Sequence, residues 1–181
     1  MNTTHVKLVK CKFCKQPYKR IFTNQTCCTL KCAIEKVRAD NSKKYRVDKK
    51  VRLEKLKTLT EHLKDAQVEF NSYIRARDEK LPCISCGSVS NATRNAGHYR
   101  TVKAAAQLRF NEDNCHAQCE SCNSYKSGNI VEYRIRLSRK IGTERLEALE
   151  SNNEIHKYTV EEAKEIKQKY REKLKSMRKA V

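Results

Sequence analysis

Apolar residues recur at steps of three and four positions in two long stretches of the chain, the spacing that one buried face of an α-helix requires. The first stretch places on one face Leu59, Leu63, Ala66, Phe70, Tyr73, Ile74 and Arg77. The second follows Thr159 and Glu162, which have the spacing of a capping box, and its face comprises Ala163, Ile166, Tyr170, Leu174 and Met177. We therefore predict two amphipathic helices.

The stretch from residue 31 to residue 57 has a different pattern. Basic residues crowd it and only sparse Val and Leu lie between them, so its apolar stripe is thin. It is either a solvated helix or a flexible connector that becomes ordered on a partner. No Gly or Pro lies between Pro17 and Pro82, so we expect long helices in that interval.

Residues 83–128 hold short apolar pieces and two cysteine pairs, a pattern typical of turns and short strands. Asn129 and Glu132 have capping-box spacing and open a predicted helix that ends near Gly142, with a short helix after it over residues 143–150. The apolar positions of the first of these helices are Val131, Ile135 and Leu137. We divide the chain into four segments, 1–35, 36–80, 81–130 and 131–181.

Composition narrows the choice of partner. The chain has 181 residues, and its 40 Lys and Arg against 21 Asp and Glu give a formal net charge of +19. Such an excess favours a polyanionic partner. Four Gly, two Pro and no Trp exclude a Gly-rich phosphate loop, a collagen-like repeat and a turn-dense β-sandwich.

The cysteine content raises the question of compartment. The chain contains ten Cys, and the stretch from Met1 to Lys10 lacks the apolar core of a secretory signal. No stretch approaches the roughly 18 consecutive apolar residues that span a bilayer. We expect a soluble, cytoplasmic protein without a membrane partner, in which paired cysteines bind metal instead of forming disulfides.

The spacing of the cysteines predicts two structural Zn²⁺ sites. Cys83 and Cys86 form one pair, and Cys119 and Cys122 form another with the same spacing, so that four thiolates surround one tetrahedral ion. Gly87 follows directly and suits the turn of a metal knuckle.

The N-terminal set allows two choices. Cys11 and Cys14 pair with Cys32 and either Cys27 or Cys28. We favour Cys28, because three residues then separate two thiolates on one side of one helical turn. Cys27 and Cys115 are then spare and act as small buried hydrophobic residues.

A catalytic pattern lies between the two downstream pairs. A ββα-metal nuclease needs a His base ahead of a hairpin turn, an Asn that ties the hairpin, and a metal ligand on the following helix. His98, Asn114 and Asn123 occur in that order, which is the layout of the HNH endonuclease fold. With His116 they are our candidate catalytic residues. The predicted fold class is mainly α, with a small zinc-stabilised ββα-metal core of HNH, treble-clef-like type, an N-terminal zinc knuckle and long basic helices.

The sequence resembles one family over nearly its whole length. The stretches that carry the resemblance are 73–78, 81–87, 96–100, 108–114 and 127–134, together with Cys11, Cys14, Cys28, Cys32 and Ala33. They closely resemble the NinG (Rap) recombination proteins of lambdoid phages. The resemblance implies a structure-selective endonuclease of phage recombination, acting in the host cell cytoplasm on branched DNA such as Holliday junctions and D-loops.

One position departs from the wider HNH pattern. Many HNH members carry Asp or His just before the base, where it helps to hold the catalytic metal, and this chain has Gly97 there. Mg²⁺ or another divalent ion would then rest on His116 or Asn123, with Asp113 or Glu112 as further candidates. Neutral His98 would take the proton of the attacking water.

Candidate DNA contacts fall into two groups. Those near the catalytic pattern are Arg75, Arg77, Arg100, Arg109 and Lys126, of which the arginines could instead pair with Asp78, Glu112 or Asp113. Those on the basic stretch are Lys43, Lys44, Arg46, Lys49 and Lys50, and basic residues of the terminal helix add to them. Contacts of this kind bind phosphate without reading bases, which suits selection of DNA by shape.

Two functions of other classes compete with the nuclease. A non-catalytic double-zinc module would bind nucleic acid with the same charge, and an adaptor would recruit another phage or host recombination protein. Expected partners are branched, duplex or single-stranded DNA, with a homodimer as a further candidate because a twofold-symmetric junction invites paired cuts.

Overall fold

The computed structural model describes residues 8–89 and 94–179. The chain divides into two compact units, residues 1–57 and residues 58–181, and this boundary falls inside the predicted segment 36–80. Helices dominate the described residues, as predicted. No helix in these ranges is both long and apolar enough to cross a bilayer.

The N-terminal unit consists of a small hairpin and one long helix. Strands β1 (Leu8–Lys10) and β2 (Pro17–Lys19) pair antiparallel. Helix α1 (Leu30–Lys55) begins at Thr29, whose side chain accepts a hydrogen bond from the Cys32 backbone N–H. The basic stretch is therefore a helix in this structure, which decides between the two alternatives that its pattern left open.

Helix α1 is solvated along its described length. None of its residues is buried, and it holds i,i+4 and i,i+3 ion pairs between Lys36 and Asp40 and between Arg38 and Glu35. Pairs of this kind add only a few tenths of a kcal/mol each. The thin apolar stripe of the sequence therefore corresponds to a helix that contributes no residue to a hydrophobic core.

The second unit opens with helix α2 (Leu59–Arg77). Thr58 and Glu61 form a complete capping box at its start. The stretch before Pro82 therefore contains two helices, α1 and α2, although no Gly or Pro separates them. The T-x-x-E spacing of Thr58 and Glu61 is the sequence signal for this helix start. The residues that α2 buries are His62, Ala66, Phe70 and Ile74, which confirms the predicted face in its central part.

An antiparallel hairpin forms the centre of this unit. In it, β3 (Arg94–His98) pairs with β4 (Cys115–Cys119), and His98 lies opposite Cys115. A π-helical turn follows β4 over Ser121–Tyr125. The remaining helices are α3 (Ile130–Ile141), α4 (Thr143–Ser151) and α5 (Val160–Lys179).

Each face of the hairpin packs on a different core. Side chains alternate along a strand, so Cys115 and His116 point in opposite directions. Cys115 joins a cluster with Phe70 and Ile74 of α2 and Tyr170 of α5. His116 faces the other cluster, whose members are Ile84, Tyr99, Ala105, Leu108, Tyr133, Leu137, Leu146 and Leu149. The hairpin is thus held between α2 with α5 on one side and α3 with α4 on the other.

The helix boundaries after the hairpin agree with the sequence except at one cap. Gly142 ends α3 at a φ of 86°, and the Thr159–Glu162 capping box forms with hydrogen bonds of 2.7 and 3.1 Å. The predicted box at Asn129 is wrong. Asn129 lies in the left-handed region at φ 45° and its side chain caps no backbone N–H of α3; it donates instead to the Cys122 Sγ at 3.7 Å.

The predicted apolar face of α3 also needs correction. Val131 is 72% exposed and Ile135 is 43% exposed, whereas Tyr133 and Leu137 are fully buried. The buried stripe is therefore a Tyr and a Leu four residues apart, and Tyr133 is buried because its hydroxyl finds polar partners on the hairpin.

Candidate functional site

Four cysteines of the N-terminal unit converge on one point. The Sγ atoms of Cys11, Cys14, Cys28 and Cys32 all lie within 4.8 Å of one another, a group of the size that a tetrahedral zinc ion needs. The first two lie in the turn between β1 and β2, and the others lie at the start of α1. Cys27 is buried outside the group, so the choice of Cys28 over Cys27 is confirmed.

The second group joins the start of the hairpin unit to its end. Cys83 and Cys86 of one turn meet Cys119 at the end of β4 and Cys122 in the π-helical turn, again within 4.8 Å. Gly87 takes a φ of 74° to close that turn and donates its N–H to the Cys83 carbonyl at 2.9 Å. Both four-thiol groups predicted from spacing are present, and both are compatible with structural zinc.

The thiol of Cys83 is prepared for a cation. Burial alone would raise its pKa, but backbone N–H donors of Cys86 and Cys119 lower it to about 7. The Cys119 N–H lies 3.3 Å from the Cys83 Sγ. Backbone amides that point at sulfur favour the thiolate, which is the form that binds metal.

His98 stands at the end of β3 with its ring held in one orientation. Its Nε2 lies 2.9 Å from the Arg109 carbonyl, which can only accept, so Nε2 carries the hydrogen and Nδ1 keeps its lone pair. Nδ1 lies 3.7 Å from the Sγ of Cys115, a thiol whose pKa burial raises and which is a weak donor. Burial also lowers the pKa of His98, so the imidazole is neutral at pH 7.

Asn114 fixes two backbone segments next to His98. It is fully buried; its Oδ1 accepts the Arg100 N–H at 2.8 Å, and its Nδ2 donates to the carbonyls of Arg100 and Leu108 at 2.9 and 3.1 Å. Leu108 immediately precedes Arg109, the residue whose carbonyl orients His98. Asn114 therefore ties the end of β3 to the segment that holds the imidazole.

Asn123 reaches the same cavity as His98. Both line an opening of about 390 Å³, together with Thr101 and Ile130. Asn123 lies next to Cys122 in the π-helical turn, so the second cysteine group fixes its position. The structure brings together His98, Asn114 and Asn123, three of the four predicted catalytic residues.

The fourth predicted catalytic residue lies elsewhere. His116 is only 2% exposed, and its Nδ1 lies 3.3 Å from the Tyr133 hydroxyl. Burial lowers its pKa to about 3, with Lys140 and Arg77 adding to the effect. Strand alternation turns His116 away from His98, so it is a core residue and the cavity does not offer it to a catalytic cation.

The acidic metal candidates are engaged in ion pairs. Asp113 makes a bidentate pair with Arg145, one bond of which is 2.9 Å. Glu112 accepts from Lys173 at 2.5 Å and from the hydroxyl of Tyr73 at 2.9 Å, and these partners lower its pKa against the effect of burial. Neither carboxylate lines the cavity of His98.

Three of the arginines predicted to bind DNA have internal partners. Arg77 pairs with the buried carboxylate of Asp78 at 2.8 Å and donates to two carbonyls at 2.9 and 3.0 Å. Arg100 binds three carbonyls that follow α4 or end it. Arg109 donates to Gln67 at 2.9 Å. Their guanidinium groups hold elements of the fold together and are not free phosphate contacts.

The other basic candidates face solvent. Among residues 8–89 and 94–179, Arg75 bonds only within its own helix, to Ser72 at 3.1 Å. Lys126 is exposed beside the π-helical turn. Exposed positions on α1 are Lys43, Lys44, Arg46, Lys49 and Lys50. These are the predicted contacts that remain available to a polyanion.

Comparison with known proteins assigns relatives along the whole chain. The family model described as Bacteriophage Lambda NinG protein matches residues 3–180. The chain is 43% identical over 187 residues to Protein ninG of Escherichia phage 933W, covering 93% of both chains. It is 42% identical to Protein ninG of Escherichia phage lambda and 40% identical to that of Salmonella phage P22, each over 183 residues, 91% of this chain and 90% of the relative. No solved structure matches the chain.

Proposed function

This chain belongs to the NinG family of bacteriophage proteins, and on that premise we propose that it is a metal-dependent DNA endonuclease in which His98 is the general base. Its substrate is branched DNA of phage recombination, such as Holliday junctions and D-loops. The order of elements around His98, two strands and then a helical turn beside a four-thiol group, supports an HNH-type core.

One observation carries the proposal. His98 is a neutral imidazole whose donor nitrogen is occupied by the Arg109 carbonyl, and it opens into a cavity that it shares with Asn123. Asn114 bonds the carbonyl of Leu108, so the backbone next to the orienting carbonyl of Arg109 is itself held in place. A base fixed in this way is prepared to accept a proton at a single nitrogen.

The residues act on water and phosphate as follows. His98 accepts the proton of a water molecule aligned with the scissile phosphorus through Nδ1, whose contact with the Cys115 thiol is weak. The Arg109 carbonyl keeps the ring from turning, and Asn114 holds the backbone segment next to that carbonyl. When bound, a divalent cation such as Mg²⁺ supplies positive charge that polarises the phosphate and stabilises the leaving oxygen. Asn123 contributes an oxygen that suits such a hard cation. Because burial lowers the pKa of His98 below 6.5, the base is competent at pH 7.

The charge of the chain supports DNA as the substrate. The excess of 19 positive charges attracts a polyanion without reading sequence, as selection by shape requires. The exposed lysines of α1 are the described residues best suited to this contact. These lysines contribute to affinity for DNA, and the cavity of His98 contributes to cleavage.

The decisive experiment compares two histidine variants on labelled DNA. Junction, linear duplex and single strand are incubated with the zinc-loaded protein in Mg²⁺ or EDTA. We expect Mg²⁺-dependent cleavage of the junction, and we expect His98→Ala to lower the rate at least about a hundredfold, the typical contribution of a general base. The matched control is His156→Ala, an exposed histidine that pairs with Glu162 at 3.4 Å, and it should cleave normally.

Two results would reject the proposal. The first is undiminished cutting by a His98→Ala protein that retains its zinc and its melting temperature. The second is junction binding without Mg²⁺-dependent cleavage of any substrate, which would favour a non-catalytic double-zinc module that binds nucleic acid. Glu112 and Asp113, the acidic candidates for metal ligands, are held in ion pairs with Lys173 and Arg145. This observation supports the second function.

A further inference from the structure

A second cavity lies beside the second cysteine group, outside the site of His98. It has a volume of about 310 Å³ and is lined by residues 81–84 and by Arg136, Arg139 and Lys140 of α3. It shares no lining residue with the cavity of His98. Its size is that of a small ligand site, and the proposed chemistry uses none of its basic residues.

Residues 81–84 form an apolar wall that is fixed in place. Their side chains are those of Leu, Pro, Cys and Ile, and the cysteine belongs to the second four-thiol group. The Ile84 N–H donates to the Ala117 carbonyl of β4 at 3.1 Å, and the Arg94 guanidinium donates to the Leu81 carbonyl at 2.9 Å. The wall therefore keeps its position whether or not a ligand fills the cavity.

The other side of the cavity is basic. Arg136, Arg139 and Lys140 have i, i+3 and i+4 spacing, so their side chains leave the same side of α3. Among the described residues, no acidic side chain lines the cavity. The charge of Lys140 is partly compensated, because its Nζ lies 3.4 Å from the carboxylate of Asp78. The two arginines therefore carry most of the uncompensated charge of the cavity.

Arg136 is closely packed but has no counter-ion. A Cβ on Gly87 would lie 2.8 Å from both terminal nitrogens of Arg136, so the guanidinium lies directly against that glycine. Its Nε is buried and has no hydrogen-bond partner. In the described part of the chain, no carboxylate pairs with Arg136 or Arg139. Arg134 of the same helix differs, because it donates to both carboxylate oxygens of Glu150 at 2.7 and 3.0 Å.

The chemistry of the cavity suits a phosphate that carries an apolar group. A buried donor without a partner destabilises a fold, and native proteins retain one where an ion, a water or a function accounts for it. Guanidinium groups bind phosphate oxygens through paired, charge-assisted hydrogen bonds. A bare phosphate ion would leave the apolar wall uncovered, whereas the sugar of a nucleotide would cover it. A sugar-phosphate therefore satisfies both sides of the cavity.

We propose that this cavity binds one nucleotide of a DNA strand, with its phosphate on Arg136 and Arg139 and its sugar against the wall of residues 81–84. The inference rests on the proposed function for the choice of DNA as the polyanion. It adds a contact outside the site of cleavage but in the same unit. Ile130, at the start of α3, lines the cavity of His98, so one helix borders both cavities and holds the strand near the site of cleavage.

Replacement of single DNA phosphates by uncharged methylphosphonates locates this contact. Binding of each modified junction is measured by fluorescence anisotropy with the zinc-loaded full chain, in a His98→Ala background that keeps the DNA intact. We expect at least one position where the replacement weakens binding about tenfold, as loss of a charged hydrogen bond does. A variant with Arg136→Gln and Arg139→Gln should bind the natural junction at least about tenfold more weakly. It should also be insensitive to the replacement at that position.

The salt dependence of binding supplies a matched control on the same helix. The double Gln variant should make the slope of log K against log salt shallower by about 2, since each phosphate contact contributes about 0.9. Arg134→Gln removes the same charge from α3, but Glu150 already pairs with that arginine, so the slope should stay as it is. Substitution of Arg136 and Arg139 by Lys keeps the charge and should keep the slope.

A measurement on the unsubstituted arginines covers the case in which a change at Arg136 disturbs the fold. In protein labelled with ¹⁵N, addition of the junction should shift the side-chain Nε–H signals of Arg136 and Arg139 and leave that of Arg134 in place. Unshifted signals from both arginines would reject the site. An unchanged methylphosphonate pattern in a double Gln variant that retains both zinc ions would also overturn it.

The failure of this inference can be told apart from the failure of the proposed function. Binding that depends on Arg136 and Arg139, in a protein that cuts no DNA, would reject the endonuclease alone. Cleavage of the junction, with binding that is insensitive to both arginines, would reject this inference alone.

Discussion

Single residues of the hairpin have separate tasks because neighbouring positions on a strand face opposite ways. Cys115 and the proposed base His98 lie on the side of α2, where the rings of Phe70 and His98 are 6.1 Å apart. His116, one residue further, contacts Tyr133 of α3. The Tyr133 hydroxyl donates to the Gly97 carbonyl at 2.9 Å, so it accepts from His116. The buried histidine thus supports the backbone that precedes the base.

The pH dependence of the free energy of unfolding tests whether burial holds His116 neutral. Its pKa is about 3 in the folded protein and 6.5 when solvated, so between these values the unfolded chain binds the extra proton. The stability from this group is complete above pH 6.5 and is lost as the pH falls towards 3. Between about pH 7.5 and about pH 6.0 we expect His116→Gln to lose about 1 kcal/mol less unfolding free energy than the unmodified protein.

Urea unfolding of the zinc-loaded proteins at both pH values measures this difference. His156→Gln serves as control, because it removes a histidine whose side chain is exposed. Equal pH dependence in His116→Gln and the unmodified protein would show that His116 is not held neutral by burial.

Elements of this chain owe their positions to thiols and caps as much as to apolar packing. The second cysteine group joins the turn at Cys83 to the end of β4 and to the π-helical turn, and so it holds Asn123 beside the hairpin. Spacing alone was enough to predict this group. The start of α2 depends on a different device, the Thr58–Glu61 capping box.

Zinc content tests the role of the second group. We expect two zinc ions per chain and one after Cys122→Ser, because three thiolates bind structural zinc much more weakly than four. The control is Cys115→Ala, which removes a buried thiol of the same hairpin outside both groups and should keep two. Elemental analysis of purified protein gives the count, and two ions retained by Cys122→Ser would contradict the site.

Substitution of two neighbouring threonines, Thr58 and Thr60, tests how much the cap stabilises α2. Thr58→Ala removes the oxygen that accepts the Glu61 N–H and should lower the free energy of unfolding by about 1 kcal/mol. Thr60→Ala, two residues further on an exposed position, should cause no loss. Denaturant unfolding compares the two, and equal effects would mean that the box does not stabilise the helix.

The exposed lysines of α1 and the proposed site of cleavage lie in different units of the chain. Helix α1, with its row of exposed lysines, belongs to the unit of residues 1–57, and the cavity of His98 belongs to the unit of residues 58–181. Each unit has its own four-thiol group. Affinity for DNA and cleavage of DNA should therefore respond to different substitutions.

Salt dependence of DNA binding tests the part played by α1. If about six phosphates are neutralised, the slope of log K against log salt is near −5, about −0.9 for each contact. Replacing Lys43, Lys44 and Lys49 together by Gln should make the slope shallower by about 2 to 3. Replacement of the same three residues by Arg keeps the charge and should keep the slope. A slope near zero, or one that the Gln variant leaves unchanged, would contradict the electrostatic model.

The sequence by itself determined what depends on local spacing. Cysteines two or three residues apart identified both thiol groups, steps of three and four identified α2 and α5, and the Thr159–Glu162 pair identified a cap that the structure contains. Family membership followed from the residues as well, since the relatives match along the whole chain. Each of these features lies within one turn of backbone or repeats along one helix, so neighbours in sequence suffice to define it.

Tertiary structure alone decided which polar groups remain available. It turned His116 into the core, gave Arg77, Arg100 and Arg109 internal partners, and placed Gln118 Oε1 against Gly97. These outcomes depend on strand register and on contacts between residues that lie far apart in the chain. Composition and periodicity do not predict such pairings, because tertiary packing determines the partner of a buried polar atom.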